Sequence, residues 1–367
     1  MHSPVLEMDL DVVAAAYRRM TGALPGVALH YAMKCNGYRP VLRRLRELGC
    51  GFEIASASEL DDLLEIGVAA ADVLFSNPVK APAQITHTFA AGVRQYAFDS
   101  TTELDKLAVL APGAQVVVRL AAPDIDSDVP SEGKFGVEPE VAVDLLLAAR
   151  DRGLRPHGVA FHVGSQMMRP TAWKAPLDEV AEMMSALDEQ GVRLEIVDVG
   201  GGFPAPYDLP PPPMADYGAV IQAGLDRLPY PVRAVAEPGR ALVAEAGTLV
   251  ATVIGTAVRG GRKWVHLDVG AFNGLMESLE TGNRLRFPVR DSIGASDPEP
   301  CHLTGPTCDS QDTILFDVPL SPDLTTGDRV FIESAGAYTT VYASTFNGFT
   351  VPDVRVVGSV TANLSQG

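Results

Sequence analysis

The stretch Val27-Ala-Leu-His-Tyr-Ala-Met-Lys34-Cys-Asn-Gly-Tyr38 decides how the rest of the chain is interpreted. Six strand-like residues lead into a single lysine, an Asn36-Gly37 turn follows at once, and a helical pattern begins near Val41. Lysines avoid burial unless they are paired or used chemically. A desolvated lysine amine is the form that makes a Schiff base. A strand-end lysine with its ammonium in water is the plainer interpretation, and the remaining sequence favours chemical use.

Composition limits the possible classes of function. The 367 residues are 47% hydrophobic, which is enough for a large core and two domains. The formal charge of −17 argues against nucleic acid or anionic lipid as a partner and suits a cationic substrate. No run of eighteen apolar residues occurs, so no membrane span is expected. The four cysteines form no metal-ligand or disulfide-dense pattern, and no signal peptide is evident, so we expect a cytoplasmic, reduced protein without a metal site.

Strand and helix signals alternate from residue 27 to about residue 240. Eight strand–helix units over that length match a (β/α)8 barrel, that is, a TIM barrel, and a doubly wound open sheet is the alternative. The predicted strands are residues 27–34, 51–56, 73–78, 95–100, 115–120, 156–163, 195–202 and 233–240.

The pattern changes after the eighth strand. Short β-branched runs separated by Gly, Pro and Asp replace the alternation, which predicts an all-β, sandwich-like second domain. We therefore expect a barrel domain over residues 9–240 and a β domain over 241–367, which a few N-terminal residues could join. The predicted strands of the β domain are residues 249–258, 263–269, 313–316, 329–332 and 354–360.

Polar residues or glycines stand at the end of every predicted barrel strand. In a (β/α)8 barrel, reacting groups project from the C-terminal ends of the strands. Some of this pattern is trivial because strands usually end in polar turns, but Lys, Arg, His and Glu on four different strands are harder to dismiss. In strand order, the residues are Lys34, Ser56, Asn77, Asp99, Arg119, His162, Gly200 to Gly202, and Glu237.

Glycines after the seventh and eighth strands predict an anion site. Gly200-Gly201-Gly202 can bring backbone N–H groups close to an anion, and Glu237-Pro-Gly239-Arg240 adds a glycine and a guanidinium. A tight turn would explain the triple glycine alone, but the two motifs together favour a phosphate cradle. With a lysine, an imidazole and a carboxylate, the set matches the needs of pyridoxal 5′-phosphate (PLP), whose pyridine nitrogen Glu237 would keep protonated.

Motifs along nearly the whole chain resemble one enzyme family. They are similar to those of the alanine-racemase-like (fold type III) PLP-dependent decarboxylases, which act on ornithine, lysine, arginine or diaminopimelate. The motifs that carry the resemblance are Tyr31-Ala-Met-Lys34-Cys-Asn, Phe161-His162-Val-Gly-Ser165-Gln, Gly200-Gly-Gly-Phe-Pro204, Glu237-Pro-Gly-Arg240, Gly305-Pro-Thr-Cys308-Asp309-Ser-Gln-Asp312 and Gly336-Ala-Tyr338-Thr.

The resemblance implies a barrel followed by a β-sandwich domain, in a head-to-tail homodimer with shared active sites. It implies that Lys34 holds the cofactor, that His162 stacks on its ring and that Glu237 contacts the pyridine nitrogen. It also implies that Cys308 and Asp309 reach the active site of a partner subunit, where the thiol protonates the substrate carbon and Asp309 binds the distal ammonium. The implied phosphate ligands are Ser165, Gly201, Gly202, Gly239, Arg240 and Tyr338.

Within this family, Pro306-Thr-Cys308-Asp309 resembles the ornithine/lysine branch, so the expected reaction is decarboxylation of L-ornithine and possibly of L-lysine. Three positions depart from the eukaryotic pattern. Glu53 stands in place of an aspartate near the cofactor, Glu277 could bind the substrate in place of an absent Tyr-Asp pair, and Arg119 could cover the role of another arginine. Decarboxylation of diaminopimelate or arginine, racemisation, and a non-catalytic PLP-binding homologue are the alternatives.

Overall fold

The computed structural model describes residues 4–123, 127 and 133–358, and the chain divides into two compact units. The barrel unit comprises Tyr17–Pro204 and Pro212–Gly239. The β unit comprises Met1–Ala16, Ala205–Pro211 and Arg240–Gly367. Residues 9–16, residues 205–211 and Arg240 therefore group with the β unit, whereas the sequence analysis assigned them to the barrel.

The elements of the described residues alternate regularly only in the barrel unit. The strands are β1 (Val5–Asp9), β2 (Val27–Ala32), β3 (Gly51–Ile54), β4 (Val73–Phe75), β5 (Gln95–Phe98), β6 (Gln115–Arg119), β7 (Arg155–Ala160), β8 (Ile196–Asp198), β9 (Arg233–Ala236), β10 (Gly247–Arg259), β11 (Arg262–Leu267), β12 (Val289–Asp291), β13 (Glu299–Thr304), β14 (Thr313–Leu320), β15 (Arg329–Ile332) and β16 (Asp353–Val357). The helices are α1 (Leu10–Ala23), α2 (Arg39–Glu47), α3 (Ala57–Glu65), α4 (Pro82–Ala91), α5 (Thr101–Leu110), α6 (Pro139–Asp151), α7 (Lys174–Glu189), α8 (Met214–Leu225), α9 (Arg240–Val243) and α10 (Glu277–Glu280).

Strands β2 to β9 close into a parallel barrel in chain order. Successive residues of each strand point to opposite faces, and a buried apolar cluster joins strands β4, β6, β7 and β8. All eight predicted strands are present, so the predicted (β/α)8 fold class is confirmed. The strands end earlier than predicted: β2 stops at Ala32, and Lys34 lies in a single 3-10 turn, Met33–Cys35. The members of this buried apolar cluster are Leu74, Val117, Ala160 and Ile196.

The start of α3 fixes the end of β3. The Ser56 hydroxyl accepts a hydrogen bond from the Glu59 N–H, and Glu59 Oε2 accepts one from the Ala55 N–H at 2.6 Å. The arrangement differs from a capping box only in that the glutamate accepts from the residue before the N-cap, and both bonds satisfy backbone donors at the helix start. The last residues of β3, including Glu53, are therefore held against a fixed helix start.

The β unit contains a mixed sheet. Its main path runs β12-β15-β10-β11-β13-β14, and β1 pairs antiparallel with β10 and parallel with β16. The sequence analysis missed β1, β12 and β13, because β12 has only three residues and β13 carries Pro300, which weakens a strand signal. Within the described part of the chain, no helix combines the length and the apolar composition needed to cross a bilayer.

Candidate active site

The amine of Lys34 is held by a buried carboxylate at the C-terminal end of the barrel strands. Lys34 Nζ donates to Glu53 Oε1 at 2.7 Å, and Glu53 is fully buried near the end of β3. Glu53 Oε2 accepts a short hydrogen bond from the hydroxyl of Ser76, the residue after β4. The sequence analysis singled out Lys34 and Glu53 but missed Ser76, although its position after a buried strand was the same signal.

The surrounding carboxylates set the charge of the lysine. Desolvation disfavours the Lys34 ammonium, but the negative charges of Glu53 and Glu237 outweigh it and raise the pKa of Lys34 above its ordinary value. Its side chain is still 49% exposed, so the amine is accessible from solvent. The lysine is therefore paired and reachable, as a residue used for chemistry must be.

The glycines after β8 occupy positions that admit no side chain. Gly200 has φ +68°, and a Cβ there would lie 1.9 Å from the carbonyl oxygen of Phe161. Gly202 has φ +98°, and a Cβ there would lie 2.3 Å from the carbonyl oxygen of Gly164. A Cβ on Gly201 would approach the Glu237 carbonyl oxygen to 2.5 Å. The backbone itself therefore forms the surface here.

Two carboxyl groups from β8 and the end of β9 form a pair. Asp198 is fully buried, and its Oδ1 accepts a hydrogen bond from the Gly200 N–H at 2.8 Å. Among the described residues, no N–H or O–H donor reaches Asp198 Oδ2 or Glu237 Oε1. The two carboxyl groups interact electrostatically, since the negative charge of Asp198 raises the pKa of Glu237.

Burial is the main cause that raises the pKa of both carboxyl groups. Burial raises the pKa of Asp198 to about 7, and burial and the Asp198 charge raise the pKa of Glu237 well above its usual range. Like charges in one site cannot both ionise easily. The pair therefore holds a proton near neutral pH, and sequence reasoning did not single out Asp198.

His162 follows β7 and is electrically neutral. Burial, followed by the positive charges of Arg119 and Lys34, lowers its pKa to about 3. The ring lies beside the glycine loop, since a Cβ on Gly201 would lie 3.4 Å from His162 Cε1. Arg119 stands at the end of β6, and its guanidinium carbon lies 5.3 Å from the centroid of the Phe135 ring. Burial lowers the pKa of Arg119.

The remaining barrel residues that the sequence predicted lie in the same set of loops. Ser165 is half-buried in the loop after β7. A Cβ on Gly239 would lie 3.0 Å from the Cβ of Cys35, so the turn after β9 packs directly on the turn that carries Lys34. The barrel strands thus bring together the predicted residues from Lys34 to Gly239.

Five predicted residues belong to the β unit. Both carboxylate oxygens of Glu277 accept hydrogen bonds from Arg240, and the guanidinium carbon of Arg240 lies 4.9 Å from the centroid of the Tyr338 ring. Cys308 is exposed and accepts a hydrogen bond from Asn347 Nδ2 at 3.4 Å. Asp309 follows it on the same loop and accepts from the Gln311 N–H at 2.8 Å.

The donor set in the barrel fits pyridoxal phosphate. An accessible lysine amine can take up an aldehyde, and the glycine backbone can approach a phosphate where no side chain is tolerated. Glu237 Oε1, which receives no hydrogen bond from the described residues, is an acceptor suited to a protonated ring nitrogen. The residues present therefore meet the separate needs of the aldehyde, the phosphate and the ring.

Comparisons with known proteins agree with this chemistry. The model of the family described as pyridoxal-dependent decarboxylase, pyridoxal binding domain, matches residues 10–244. A lysine/ornithine decarboxylase of Selenomonas ruminantium is 37% identical over 357 residues, which cover 95% of this chain and 88% of that protein.

Solved structures extend the likeness over the full fold. The crystal structure of SrLDC in complex with PLP and cadaverine has a TM-score of 0.90 and 34% identity, and the match covers 100% of this chain and 94% of that one. A lysine/ornithine decarboxylase from Vibrio vulnificus complexed with putrescine has a TM-score of 0.89 and 34% identity. The match covers 97% of this chain and 94% of that one. This chain therefore belongs to the pyridoxal-dependent decarboxylase family.

Proposed function

We propose that this protein is a decarboxylase of L-ornithine, with L-lysine as a second substrate, and that it releases carbon dioxide and forms putrescine or cadaverine. The observation that carries the proposal is Lys34, in the turn after β2: its amine donates to the buried Glu53 carboxylate, and the charges of Glu53 and Glu237 raise its pKa. The choice of substrate is supported by the names of the similar enzymes and by the Cys308-Asp309 motif.

Bound pyridoxal phosphate supplies a ring that accepts the electron pair left when the substrate loses its carboxylate. Lys34 would hold the aldehyde carbon, while Glu53 and Ser76 orient its amine. Glu237 would keep a proton at the pyridine nitrogen, beside the buried carboxyl group of Asp198. His162, being neutral, would pack flat on the ring without adding a positive charge. Arg119, in turn, would balance the carboxylates.

Ligands for the phosphate are drawn from the loops after β7, β8 and β9. The N–H groups of Gly201 and Gly202 and the hydroxyl of Ser165 are donors of the type that binds a phosphate dianion. The family resemblance adds Gly239, Arg240 and Tyr338. These roles remain predictions, and the glycine positions that tolerate no Cβ support them.

Cys308 would deliver the proton to the substrate carbon, and Asp309 would bind the distal ammonium. A thiol is a proton donor, whereas a carboxylate is the natural partner of an ammonium. We propose that both act in the active site of a partner subunit within a head-to-tail homodimer. A cytoplasmic location is part of the same proposal and is supported by the four cysteines, all of which are free thiols.

Subunit mixing tests the shared site. Lys34→Ala and Cys308→Ala subunits, each inactive alone, should recover activity when they exchange, because one of the two sites in a mixed dimer has both residues intact. Absence of recovery in a mixture proven to contain mixed dimers would contradict the shared site.

A product assay tests the function itself. The holoenzyme is incubated separately with L-ornithine, L-lysine, L-arginine and meso-diaminopimelate, and carbon dioxide and amine are measured. We expect putrescine as the main product and cadaverine at a lower kcat/KM. One methylene is worth about 1–3 kcal/mol in a binding pocket, so the preference should not exceed about 200-fold. Agmatine or lysine as the main product, racemisation without carbon dioxide, or a spectral change without amine would each overturn the proposal.

A further inference from the structure

We propose that Glu277 is a positioning residue for Arg240 and thereby for the phosphate of the cofactor, and that it is not a ligand of the substrate's distal amine. The inference rests on the proposed role of Arg240 in binding the phosphate. It assigns Glu277 a different role from the one that its sequence context favours.

The two side chains form a closed, buried pair. Arg240 Nη1 donates to Glu277 Oε2 at 2.8 Å, and Nη2 donates to Oε1 of the same carboxylate through a short hydrogen bond. Each residue is only 3% exposed. Both oxygens of Glu277 are therefore engaged by one guanidinium in the two-pronged geometry that fixes its plane.

Two tyrosines complete the support of the guanidinium. Arg240 Nη1 also donates to the hydroxyl of Tyr207 at 2.7 Å, and the Tyr338 ring lies 4.9 Å from the guanidinium carbon. Tyr207 comes from the separate segment Ala205–Pro211 of the β unit. These hydrogen bonds and ring contacts together fix both the position and the orientation of Arg240.

A substrate ammonium could bind Glu277 only by reaching a buried carboxylate whose two oxygens already accept from Arg240. Breaking a buried ion pair leaves an uncompensated buried charge. The free energy lost in this way exceeds what binding of a solvent-exposed amine would contribute. Glu277 also lies on α10 beside Glu280, which is exposed. A carboxylate that served a charged substrate would be better placed at the accessible position, whereas a buried one suits a supporting role.

Orientation matters because a phosphate binds arginine through parallel N–H bonds. A guanidinium that is already fixed loses little side-chain freedom when it binds the dianion, so its support contributes to affinity. Only ligands that carry a phosphate group should gain affinity from this support of the guanidinium. Pyridoxal, which has the same ring and aldehyde but no phosphate, should not benefit.

The test compares Glu277→Gln with the parent protein. The apoenzyme is titrated with pyridoxal phosphate and with pyridoxal, and binding is followed by absorbance. Pyridoxal phosphate affinity should fall about ten- to hundredfold, the range for losing a hydrogen bond to a charged group, while pyridoxal affinity changes less than about threefold. With saturating pyridoxal phosphate, the KM for ornithine should stay within about twofold. A substrate ligand would give the opposite pattern, with a raised KM and unchanged pyridoxal phosphate affinity.

Further variants keep the test decisive. Glu280→Gln, on the same short helix, is the matched control and should leave both affinities unchanged. Tyr207→Phe removes a contact to Arg240 without removing a charge and should show the same phosphate-selective loss at smaller size, so it carries the test if Glu277→Gln fails to fold. Glu277→Asp should restore part of the affinity.

Arg240→Lys separates the two possible failures. If this variant keeps its preference for pyridoxal phosphate over pyridoxal, Arg240 does not bind the phosphate, and the proposed role of Arg240 fails together with the inference. If Arg240→Lys loses that preference while Glu277→Gln and Tyr207→Phe keep it, only the positioning role is wrong. The ornithine product assay tests decarboxylation independently of both outcomes.

Discussion

The carboxyl pair of the barrel and the Glu277 carboxylate of the β unit differ in how far their oxygens are hydrogen-bonded. In the barrel, Asp198 Oδ2 and Glu237 Oε1 receive no hydrogen bond from any donor in the described residues. In the β unit, both oxygens of the Glu277 carboxylate accept from Arg240. Buried polar atoms are normally satisfied, so the ones that are not indicate where a ligand or an extra proton belongs. The Glu277 carboxylate, whose two oxygens both accept from Arg240, by contrast indicates support for a neighbouring group.

Replacing Lys34 should have the largest effect, because it removes the group that faces the incompletely satisfied carboxyl pair. Lys34→Ala should lower kcat by about 10³-fold or more, the scale seen when an essential catalytic group is deleted. Borohydride reduction of the parent holoenzyme should label Lys34, whereas the variant should show no label in peptide mapping. The exposed Lys174→Ala on α7 serves as the matched control and should retain both label and activity. A label at another lysine would contradict the assignment of the cofactor site to the barrel carboxyl groups around Lys34.

Cys308→Ala should have the second-largest effect, which would show that the β unit also supplies a reacting group. The rate of diamine formation should fall by about 10²–10⁴-fold, the usual contribution of positioned proton transfer. In deuterated water, the label should reach the substrate carbon less selectively. Ser310→Ala, also exposed and on the same loop, should behave like the parent protein. An unchanged rate for Cys308→Ala would confine the chemistry to the barrel.

Asp198→Asn should change the pH dependence of stability. Burial raises the pKa of Asp198 from 3.8 to about 7. Between those values, the folded apoenzyme binds more protons than the unfolded chain, so its free energy of unfolding falls as pH rises. The variant should flatten this slope between about pH 4 and pH 7 in urea unfolding of the apoenzyme. Asp105→Asn, in an exposed pair with Arg152, should leave the slope unchanged. A slope that persists in Asp198→Asn would assign the proton to Glu237.

Ser76→Ala should have the smallest effect, since it removes one neutral donor from a carboxylate that keeps its lysine. The apoenzyme should lose about 1.5–3 kcal/mol of unfolding free energy, as is typical for a hydrogen bond to a charged group. Urea unfolding with an unchanged m-value would measure it. Ser185→Ala, whose exposed hydroxyl only bonds within its own helix, is the control. A neutral result for Ser76→Ala would mean that Glu53 is fixed by Lys34 alone.

The barrel could be predicted from the sequence because its signal repeats. Each strand is followed by a helix pattern, and polar residues at the strand ends meet at one edge, so Lys34, His162 and Glu237 were identified without a structure. Asp198 and Ser76 were missed for different reasons. Asp198 precedes the glycines that drew attention, and Ser76 lay inside the predicted strand 73–78, for which Asn77 was taken as the polar end.

The β unit was harder to predict because its contacts are distant in sequence. Strand β1 gives a five-residue signal whose partners, β10 and β16, lie hundreds of residues later, and β12 is too short to register a pattern. The pairing of Arg240 with Glu277 likewise joins two short helices that no local pattern connects. Side-chain roles in this unit depend on pairing that periodicity cannot supply.

The placement of β1 has a consequence for how the protein is made. Val5 pairs with both Val250 and Asp353, so the first strand to leave the ribosome must wait for almost the entire chain before its sheet is complete. Contacts of such long sequence separation form late, whereas the barrel strands can associate with neighbours already synthesised. A chain truncated before residue 353 would leave β1 with an unpaired edge, a known route to aggregation.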